Sequence, residues 1–201
     1  MRQKQERLRF DDKRSRKIRM LEIRNFVMEC EKCEFRWGSS TTGFGKISQP
    51  LIFFVGSNPL VKEHQFLCGK GIKILLEELE KNKFDDFYFD NIIKCQVPKT
   101  ERKNPDWIKD NCIPFLIKQL YIVDPKNIVL FGGTAVSGFN KQKHISWWGR
   151  INDVLCVPTY AVPHFSTIFF TSQERPDIEE NKKNYYKSFW KLMKIIKEKE
   201  K

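Results

Sequence analysis

At 201 residues, with 40% hydrophobic and 31% charged content, the chain is long enough for one well-packed domain and short for two. No apolar run approaches the length of a membrane span, and the charged N-terminus lacks a signal peptide's apolar core, so we expect an intracellular protein with no membrane partner. The net charge of +12 favours a polyanionic partner such as nucleic acid over a neutral metabolite.

The predicted elements alternate between strand and helix along the chain. Residues 1–24 are rich in Arg and Lys and indicate a basic arm or an extra helix, ahead of a single domain over residues 25–201. "PLIFFVG" has the apolar run of a buried parallel strand, and "GIKILLEELEK" follows it with helical periodicity. "FYFDNII" then predicts a second strand, "PDWIKDNCIPFLIKQLYIV" a helix, and "KNIVLFGG" a third strand.

The last third of the chain completes the pattern. "DVLCVP" and "TYAVPH" predict one or two further short strands, and a final amphipathic helix is predicted from apolar residues at helical spacing: Tyr185, Phe189, Leu192, Met193 and Ile196. This order predicts an α/β fold, a three-layer α/β/α sandwich around a mostly parallel sheet of four or slightly more strands. Function is then expected at the carboxyl ends of the strands.

Polar and aromatic residues of unusual kinds fall in the loops that follow these strands. Asn58 and Phe66 follow the first strand, Asn91 ends the second, and His164 follows the last. Each alone has an ordinary structural interpretation, such as a turn, a cap or a satisfied histidine. Their convergence on one rim favours a pocket that contains all four.

The cysteines indicate a metal site. Six cysteines in a reducing compartment are thiols or metal ligands rather than a disulfide framework. Cys30 and Cys33 form a C-x2-C pair, and Cys95 and Cys112 lie far downstream. Four thiolates suit either an iron-sulfur cluster or zinc. The two remaining cysteines, at positions 68 and 156, are expected to be small buried hydrophobic residues.

These motifs resemble those of the uracil-DNA glycosylase superfamily, and most closely those of its family 4, the iron-sulfur-containing uracil-DNA glycosylases. The resemblance runs from Cys30 to about Phe170 and rests on "CEKC", "FVGSNP", "FLCGKGIKILL", "DNIIKCQVPKTERKNP" and "PHFS". It implies a monofunctional, monomeric DNA glycosylase. Such an enzyme flips uracil, or a related modified or damaged base, out of single- or double-stranded DNA and hydrolyses its N-glycosidic bond to leave an abasic site.

The resemblance also implies roles for individual residues. Asn91 would read the base, Phe66 would stack on it, and His164 would donate to O2 as charge builds up there. The rest of the base pocket would come from Gly56, Ser57 and Ser166. The expected DNA contacts are Lys94, Lys99 and Arg102 in the basic loop, with Ile168 and Phe169 as a wedge. The expected ligands of a structural [4Fe-4S] cluster, with zinc as the alternative metal, are Cys30, Cys33, Cys95 and Cys112.

The first motif departs from the family 4 pattern. Ser57 stands where an acidic residue is usual, and Leu60 where a Gly is usual. Asn58 instead resembles the Gly-x-Asn-Pro loop of the mismatch-specific and single-strand-selective families, in which the Asn orients water. We therefore predict that Asn58 holds the attacking water, with Glu63 as a second candidate.

The last motif departs as well. Phe165 replaces the usual Pro, and Phe169 and Phe170 stand where a Leu-Arg pair is typical. These changes leave a modified pyrimidine or hypoxanthine open as the substrate base. They also leave open a second hypothesis, a catalytically weak or silent protein that binds nucleic acid in a regulatory or defence role. The combination of an Asn for water, an Asn for the base and a His for O2 favours the enzyme.

Overall fold

The computed structural model of the chain describes residues 13–37, 42–59, 70–97, 106–139, 148–169 and 177–200. Five α-helices occur in this part of the chain: α1 (Lys13–Met28), α2 (Lys70–Lys81), α3 (Asp106–Val123), α4 (Gly132–Ser137) and α5 (Ile178–Lys199). Its six strands are β1 (Phe44–Gly45), β2 (Ile52–Gly56), β3 (Phe87–Asn91), β4 (Asn127–Phe131), β5 (Gly149–Val154) and β6 (Val157–Val162). Two 3-10 turns, Glu34–Trp37 and Phe165–Phe169, complete the described structure.

The strands form one mixed sheet in the order β1-β3-β2-β4-β6-β5. The four central strands are parallel, whereas β1 and β5 pair antiparallel at the two edges. β2 and β4 are buried at every position, which agrees with their unbroken apolar runs and with helices on both faces of the sheet. The predicted mostly parallel sheet of four or slightly more strands is confirmed.

Alternate side chains of the central strands point into two separate cores. Phe53 and Val55 of β2 pack with α1 and α3 on one face. Ile52 and Phe54 pack with α2 and α5 on the other face, where all five apolar residues predicted to line the last helix are buried. The period of two along each strand therefore produces the three-layer sandwich.

The predicted elements agree with the observed ones to within a few residues, with three exceptions. The two-residue β1 and the six-residue α4 are too short to carry a periodic signal and were not predicted. β5 begins at Gly149, earlier than the pattern suggested, so "LC" forms the turn between β5 and β6. Cys156 lies in that turn and is exposed, which corrects the expectation that it is buried.

The basic N-terminal segment contains a helix that is part of the domain. Met20, Ile23 and Val27 of α1 are buried in the same core as α3. Arg16 is also buried, and its guanidinium donates to the carbonyl of Ile122 at the end of α3. The expected boundary after residue 24 thus falls inside a packed helix. Among the described helices, none is both long and apolar enough to cross a membrane.

Candidate active site

The four parallel strands end side by side at one edge of the sheet. In their order across the sheet, β3 ends at Asn91, β2 at Gly56, β4 at Phe131 and β6 at Val162. The chain passes from β3 across β2 to β4, so the strand order changes direction between β2 and β4. Ligands in open parallel sheets bind outside the carboxyl ends at such a point. The turns after these four strands are therefore the candidate site.

Asn91 lies against the backbone of the neighbouring strand. It pairs in register with Gly56, and its side chain is almost fully buried. A Cβ atom placed on Gly56 would lie 2.4 Å from Asn91 Oδ1, so only glycine leaves room for the amide. The carboxamide offers a donor and an acceptor in one plane, which is the pairing that the O4 and N3–H edge of uracil requires.

The turn after β2 is held on β3 and carries Asn58. The Ile93 N–H donates to the Ser57 carbonyl at 2.9 Å, which continues the strand pairing beyond Gly56. Ser57 Oγ donates to Asn58 Oδ1 at 3.2 Å, and Asn58 Nδ2 donates to the Pro59 carbonyl at 3.2 Å. These bonds fix the amide orientation, and Oδ1 keeps a second lone pair for another donor such as water.

The ring of His164 is oriented by Ser166. The Ser166 N–H donates to Nδ1 at 3.2 Å, and Ser166 Oγ lies 2.7 Å from the same nitrogen. A backbone N–H can only donate, so Nδ1 is the acceptor and the proton of the neutral ring is assigned to Nε2. Ser166, expected as a base contact, therefore acts on the histidine in this structure.

Burial keeps the imidazole of His164 neutral. Loss of solvation lowers the pKa of His164 from its ordinary 6.5 to about 4. The ring of Phe165 lies against it, with ring centroids 4.1 Å apart. At neutral pH the side chain is thus an uncharged Nε2–H donor, suited to stabilise a negative charge that develops beside it.

Two glycines allow the turns to meet. Gly132 has φ +78°, and a Cβ atom there would lie 2.8 Å from His164 Cβ. A Cβ atom on Gly71, in the first turn of α2, would lie 2.4 Å from Cδ2 of Phe165. The start of α2 therefore packs on the turn that carries His164. Two candidates in the segment before α2, Glu63 and Phe66, lie outside the described residues.

The four candidate metal ligands come from separate parts of the chain and lie near one another. Cys95 and Cys112 are buried, and Cys30 and Cys33 are partly buried. Burial, together with the electrostatic influence of the other three thiols, raises the pKa of the Cys95 thiol to about 12. Burial also raises the pKa of Cys112, with contributions from the same C-x2-C pair.

The C-x2-C turn is held on α3 by specific contacts. The Asn111 amide donates to the Lys32 carbonyl at 3.1 Å, and the Lys32 ammonium lies 5.5 Å from the centre of the Phe115 ring. In the described part of the chain, no three His, Cys, Asp or Glu side chains are already arranged as a coordination shell. Four neighbouring thiols nevertheless fit, in kind and number, a four-iron cluster or a tetrahedral zinc ion.

A cavity of about 750 Å³ adjoins His164. It lies between Gly132, the turn after β6 and the first half of α5, with Trp148 and Tyr185 in its wall. Neither Asn91 nor Asn58 lines it. The cavity beside His164 is therefore a feature separate from the two asparagines.

Two residues expected to contact DNA are buried instead. The Lys94 side chain is 1% exposed and its ammonium pairs with Asp90, which leaves no surface for a phosphate. Ile168 is 1% exposed and packs in the core beneath α2 and α5, so it cannot serve as a wedge. Phe169 is partly exposed and remains a candidate. Two further candidates, Lys99 and Arg102, lie outside the described residues.

Sequence reasoning missed two features of the site. One is Gly132, whose positive φ brings the β4 turn against His164. The other is the pairing of Asp90 with Lys94 behind Asn91. The sequence contains a signal for the second feature. The strand "FYFDN" places an Asp where it is buried, and the Lys four residues later is close enough to pair with it.

Comparison with known proteins identifies relatives of the chain. A profile of the uracil DNA glycosylase superfamily matches residues 42–194. The Type-4 uracil-DNA glycosylase of Thermotoga maritima is 28% identical over 127 residues, which cover 60% of this chain and 65% of the relative, just under two thirds of its length. The Type-4 uracil-DNA glycosylase of Sulfurisphaera tokodaii is 26% identical over 180 residues, or 79% of this chain and 80% of the relative. That of Pyrobaculum aerophilum is 24% identical over 116 residues, or 55% and 59%.

Proposed function

The chain belongs to the uracil DNA glycosylase superfamily, and from that premise we propose that it is a monofunctional DNA glycosylase that removes uracil, or a closely related base, from DNA. The main observation behind the proposal is that an amide and a neutral imidazole both lie at the carboxyl ends of the parallel strands. Asn91 offers a donor and an acceptor over Gly56, and His164 offers an uncharged Nε2–H. The amide can read the hydrogen-bonding edge of a flipped uracil, and the imidazole can stabilise the charge that develops on O2.

The proposed chemistry assigns one task to each side chain. Asn91 donates to O4 and accepts from N3–H, which selects uracil over cytosine. His164 donates to O2 through Nε2, because negative charge accumulates on that atom in the transition state. Asn58 accepts from the attacking water through the free lone pair of Oδ1.

The bonds and charges balance without a covalent enzyme intermediate. The N1–C1′ bond breaks, and its electron pair leaves with the base and is spread toward O2. Water adds its oxygen to C1′, and the proton that it gives up ends on the departing base by way of solvent. The products are the neutral free base and an abasic sugar. Since no lysine is used as a nucleophile, the reaction ends at the abasic site.

Cys30, Cys33, Cys95 and Cys112 would hold a [4Fe-4S] cluster, with zinc as the alternative metal. When bound, such a group supplies structural crosslinking rather than chemistry at the base. This chain's own residues support that role, because the four thiols join the turn after α1 to the end of β3 and to α3. The proposed DNA contacts are Lys99, Arg102 and Phe169, and we expect the enzyme to act as a monomer.

The proposal is tested with end-labelled oligonucleotides that carry a single uracil, hypoxanthine, cytosine or thymine. We expect strand scission after alkali at uracil, and no scission at thymine. His164→Ala and Asn58→Ala should each lower the single-turnover rate by at least roughly a hundredfold with little change in DNA affinity, since both act mainly in the transition state.

Asn82→Ala is the matched control for Asn58→Ala. The Asn82 amide is exposed and bonds only to Glu78 among the contacts of the described residues, so this variant should cleave like the wild type. DNA binding without scission at any of the four bases would contradict the proposal and favour the silent nucleic-acid-binding protein. Scission at hypoxanthine alone would keep the reaction and correct the base.

A further inference from the structure

The peptide groups of Asn91 need partners that the sheet does not provide. The Ile92 N–H donates to the Gly56 carbonyl at 2.9 Å, and in a parallel ladder this pattern turns Asn91's own N–H and C=O away from β2. On that other side β1 is short, and its register pairs only Phe44 and Gly45 with Phe89 and Tyr88. Buried peptide groups without partners are costly, so other groups must bind them.

Asp90 and Lys94 bind both groups. Asp90 Oδ1 accepts from the Asn91 N–H at 2.7 Å, and Lys94 Nζ donates to the Asn91 carbonyl at 2.8 Å. The two side chains also bind each other, with Nζ 2.5 Å from Asp90 Oδ2. The peptide groups on both sides of the Asn91 Cα are thus held by one buried ion pair.

Gln119 connects this pair to the centre of α3. Its Oε1 accepts from Lys94 Nζ at 2.6 Å, so all three protons of the ammonium have acceptors. Its Nε2 donates to the Thr42 carbonyl at 2.9 Å. Gln119 and Asp90 are fully buried, and Lys94 is 1% exposed, so the network is screened from solvent.

Such a network is poorly explained by stability alone. Removing an ion pair from water costs about as much as the pairing returns, and apolar residues of similar volume often stabilise a core equally well. What the pair adds is a fixed position for one backbone segment, and that segment carries the residue proposed to read the base.

We infer that Asp90, Lys94 and Gln119 form a positioning network for Asn91, which fixes the base-reading amide against Gly56. The inference rests on the proposed function. Its chemical basis is that a displacement of about 1 Å in a reacting arrangement costs up to about a hundredfold in rate. Loosening the Asn91 backbone should therefore slow cleavage without weakening DNA binding, since the three side chains of the network are buried from solvent.

The test uses the full-length protein and the double variant Asp90→Asn/Lys94→Met. This variant removes both charges together, so no lone charge is left in the core, and it is the variant best suited to fold. We expect the maximal single-turnover rate on uracil DNA to fall at least roughly tenfold. The enzyme concentration at half-maximal rate should stay unchanged, because DNA binding is intact. The content of bound metal should also match the wild type, because all four cysteines are kept.

Lys109→Met is the matched control. Lys109 is a second buried lysine with an ion pair, to Asp106 at 2.7 Å, and it also donates to Ser137 Oγ at 2.9 Å. Among the described residues, it makes no hydrogen bond or ion pair with Asn91. The Lys109→Met variant should have a lower unfolding free energy but the same cleavage rate per folded molecule as the wild type. Thermal unfolding of each variant gives the folded fraction to which rates are normalised.

The outcomes separate the inference from the proposed function. A wild-type protein that cleaves uracil DNA, together with a folded double variant that cleaves at the wild-type rate, overturns the inference alone. A wild-type protein that cleaves none of the bases overturns the proposed function, and the inference with it. If the double variant does not fold, Gln119→Leu is measured instead, since this variant keeps Asp90 and Lys94 paired. A several-fold lower cleavage rate would support the inference, and an unchanged rate would overturn it.

Discussion

The imidazole of His164 is prepared for its task by its surroundings. Ser166 occupies Nδ1, Phe165 covers one face of the ring, and burial holds the pKa near 4. A charged imidazolium would be a stronger donor but would be costly to bury, whereas a neutral donor costs little in the ground state. In the proposed reaction, such a donor interacts with the transition state more than with the substrate.

This environment predicts an unusual pH dependence. Because the pKa of His164 is about 4 in the folded protein and 6.5 ordinarily, the unfolded chain binds more protons between these values. His164 therefore contributes stability above pH 6.5 that is lost as the pH falls toward 4. We expect the unfolding free energy of the wild type, minus that of His164→Phe, to fall as the pH is lowered from 6.5 to 4. Urea unfolding of both proteins measures this difference.

The same shift applies to catalysis. The wild-type single-turnover rate should show no fall attributable to His164 near pH 6.5, since the ring stays neutral until about pH 4. A rate that halves near pH 6.5 in wild type, and not in His164→Gln, would contradict this assignment.

Asn91 should decide which base is cleaved. An ionised Asp at this position keeps the acceptor but loses the donor, and it turns a carboxylate oxygen toward O4. We expect Asn91→Asp to lose on the order of 2–4 kcal/mol of transition-state stabilisation on uracil, or roughly thirty- to a thousandfold in rate. Residual activity should shift toward cytosine, whose exocyclic amine can donate to the new carboxylate.

The measurement is the ratio of cleavage rates on uracil and cytosine oligonucleotides. Asn82→Asp, the same change at an exposed amide, should leave the ratio at the wild-type value. Asn58→Ala should lower both rates without shifting their ratio. If Asn91→Asp leaves the ratio unchanged, the base is read by another residue and Asn91 is a structural end to β3.

At the scale of elements, the site depends on the turns after β4 and β6. These turns lie so close together that a side chain larger than that of glycine would not fit between them at Gly132. Gly132 joins β4 to α4 with a positive φ, and its missing Cβ is where the turn after β6 brings His164. The position of the histidine thus follows from the contact between two turns as well as from the end of its own strand.

Gly132→Ala should therefore displace His164. The new Cβ would lie 2.8 Å from His164 Cβ, and the left-handed backbone conformation adds roughly 1–3 kcal/mol of strain. We expect a single-turnover rate at least roughly tenfold lower, since a small displacement of a reacting group is costly. Gly149→Ala is the control, because it also places an alanine at a positive φ, +157°, but no described residue lies within 4 Å of its Cβ position. Equal rates for Gly132→Ala and wild type would show that His164 tolerates the shift.

The first helix should behave as part of the domain. Deleting residues 1–24 removes Met20 and Ile23 from the core, and each buried side chain of this size contributes about 1.5–3 kcal/mol. We expect that truncation to lower the free energy of unfolding by at least roughly 3 kcal/mol. Deleting residues 1–12 leaves α1 in place and should cost far less. Urea unfolding of the two truncations checks this, and equal losses would contradict it.

At the scale of the whole molecule, the thiols join segments that are distant in sequence. The turn after α1, the loop after β3 and the second turn of α3 meet at these four side chains, next to the segment that carries Asn91. Metal binding to such a set is coupled to folding, because the ligands are assembled only in the folded chain.

Protein purified without oxygen should therefore be brown, with broad absorption at roughly 400 nm from thiolate-to-iron charge transfer. Cys95→Ser and Cys112→Ser should each lose iron and unfold at lower temperature. Cys156→Ser changes an exposed thiol outside the set and should keep both colour and stability. Colourless protein that carries stoichiometric zinc would replace the cluster with the alternative metal.

The sequence by itself determined the sandwich, the order of its main elements and the family. Unbroken apolar runs predict the burial of β2 and β4, and the helical spacing of apolar residues from Tyr185 to Ile196 predicts the last helix. Both signals are local properties of the chain. The motifs resembled the superfamily that the profile match confirms. Asn91 and His164 could be placed at the carboxyl edge for the same reason, since each follows a predicted strand.

The tertiary structure alone decided what those residues touch. The resemblance implies that Lys94 contacts DNA, yet Asp90 and Gln119 bind it in the interior, and Gln119 lies 25 positions away. Ile168 was expected as a wedge, yet it completes the core under α5. The neutral state and the tautomer of His164 depend on its burial and on Ser166. Hydrogen bonds between distant segments, and the loss of solvation where those segments pack, produce no periodic pattern in a sequence. Only the folded chain specifies them.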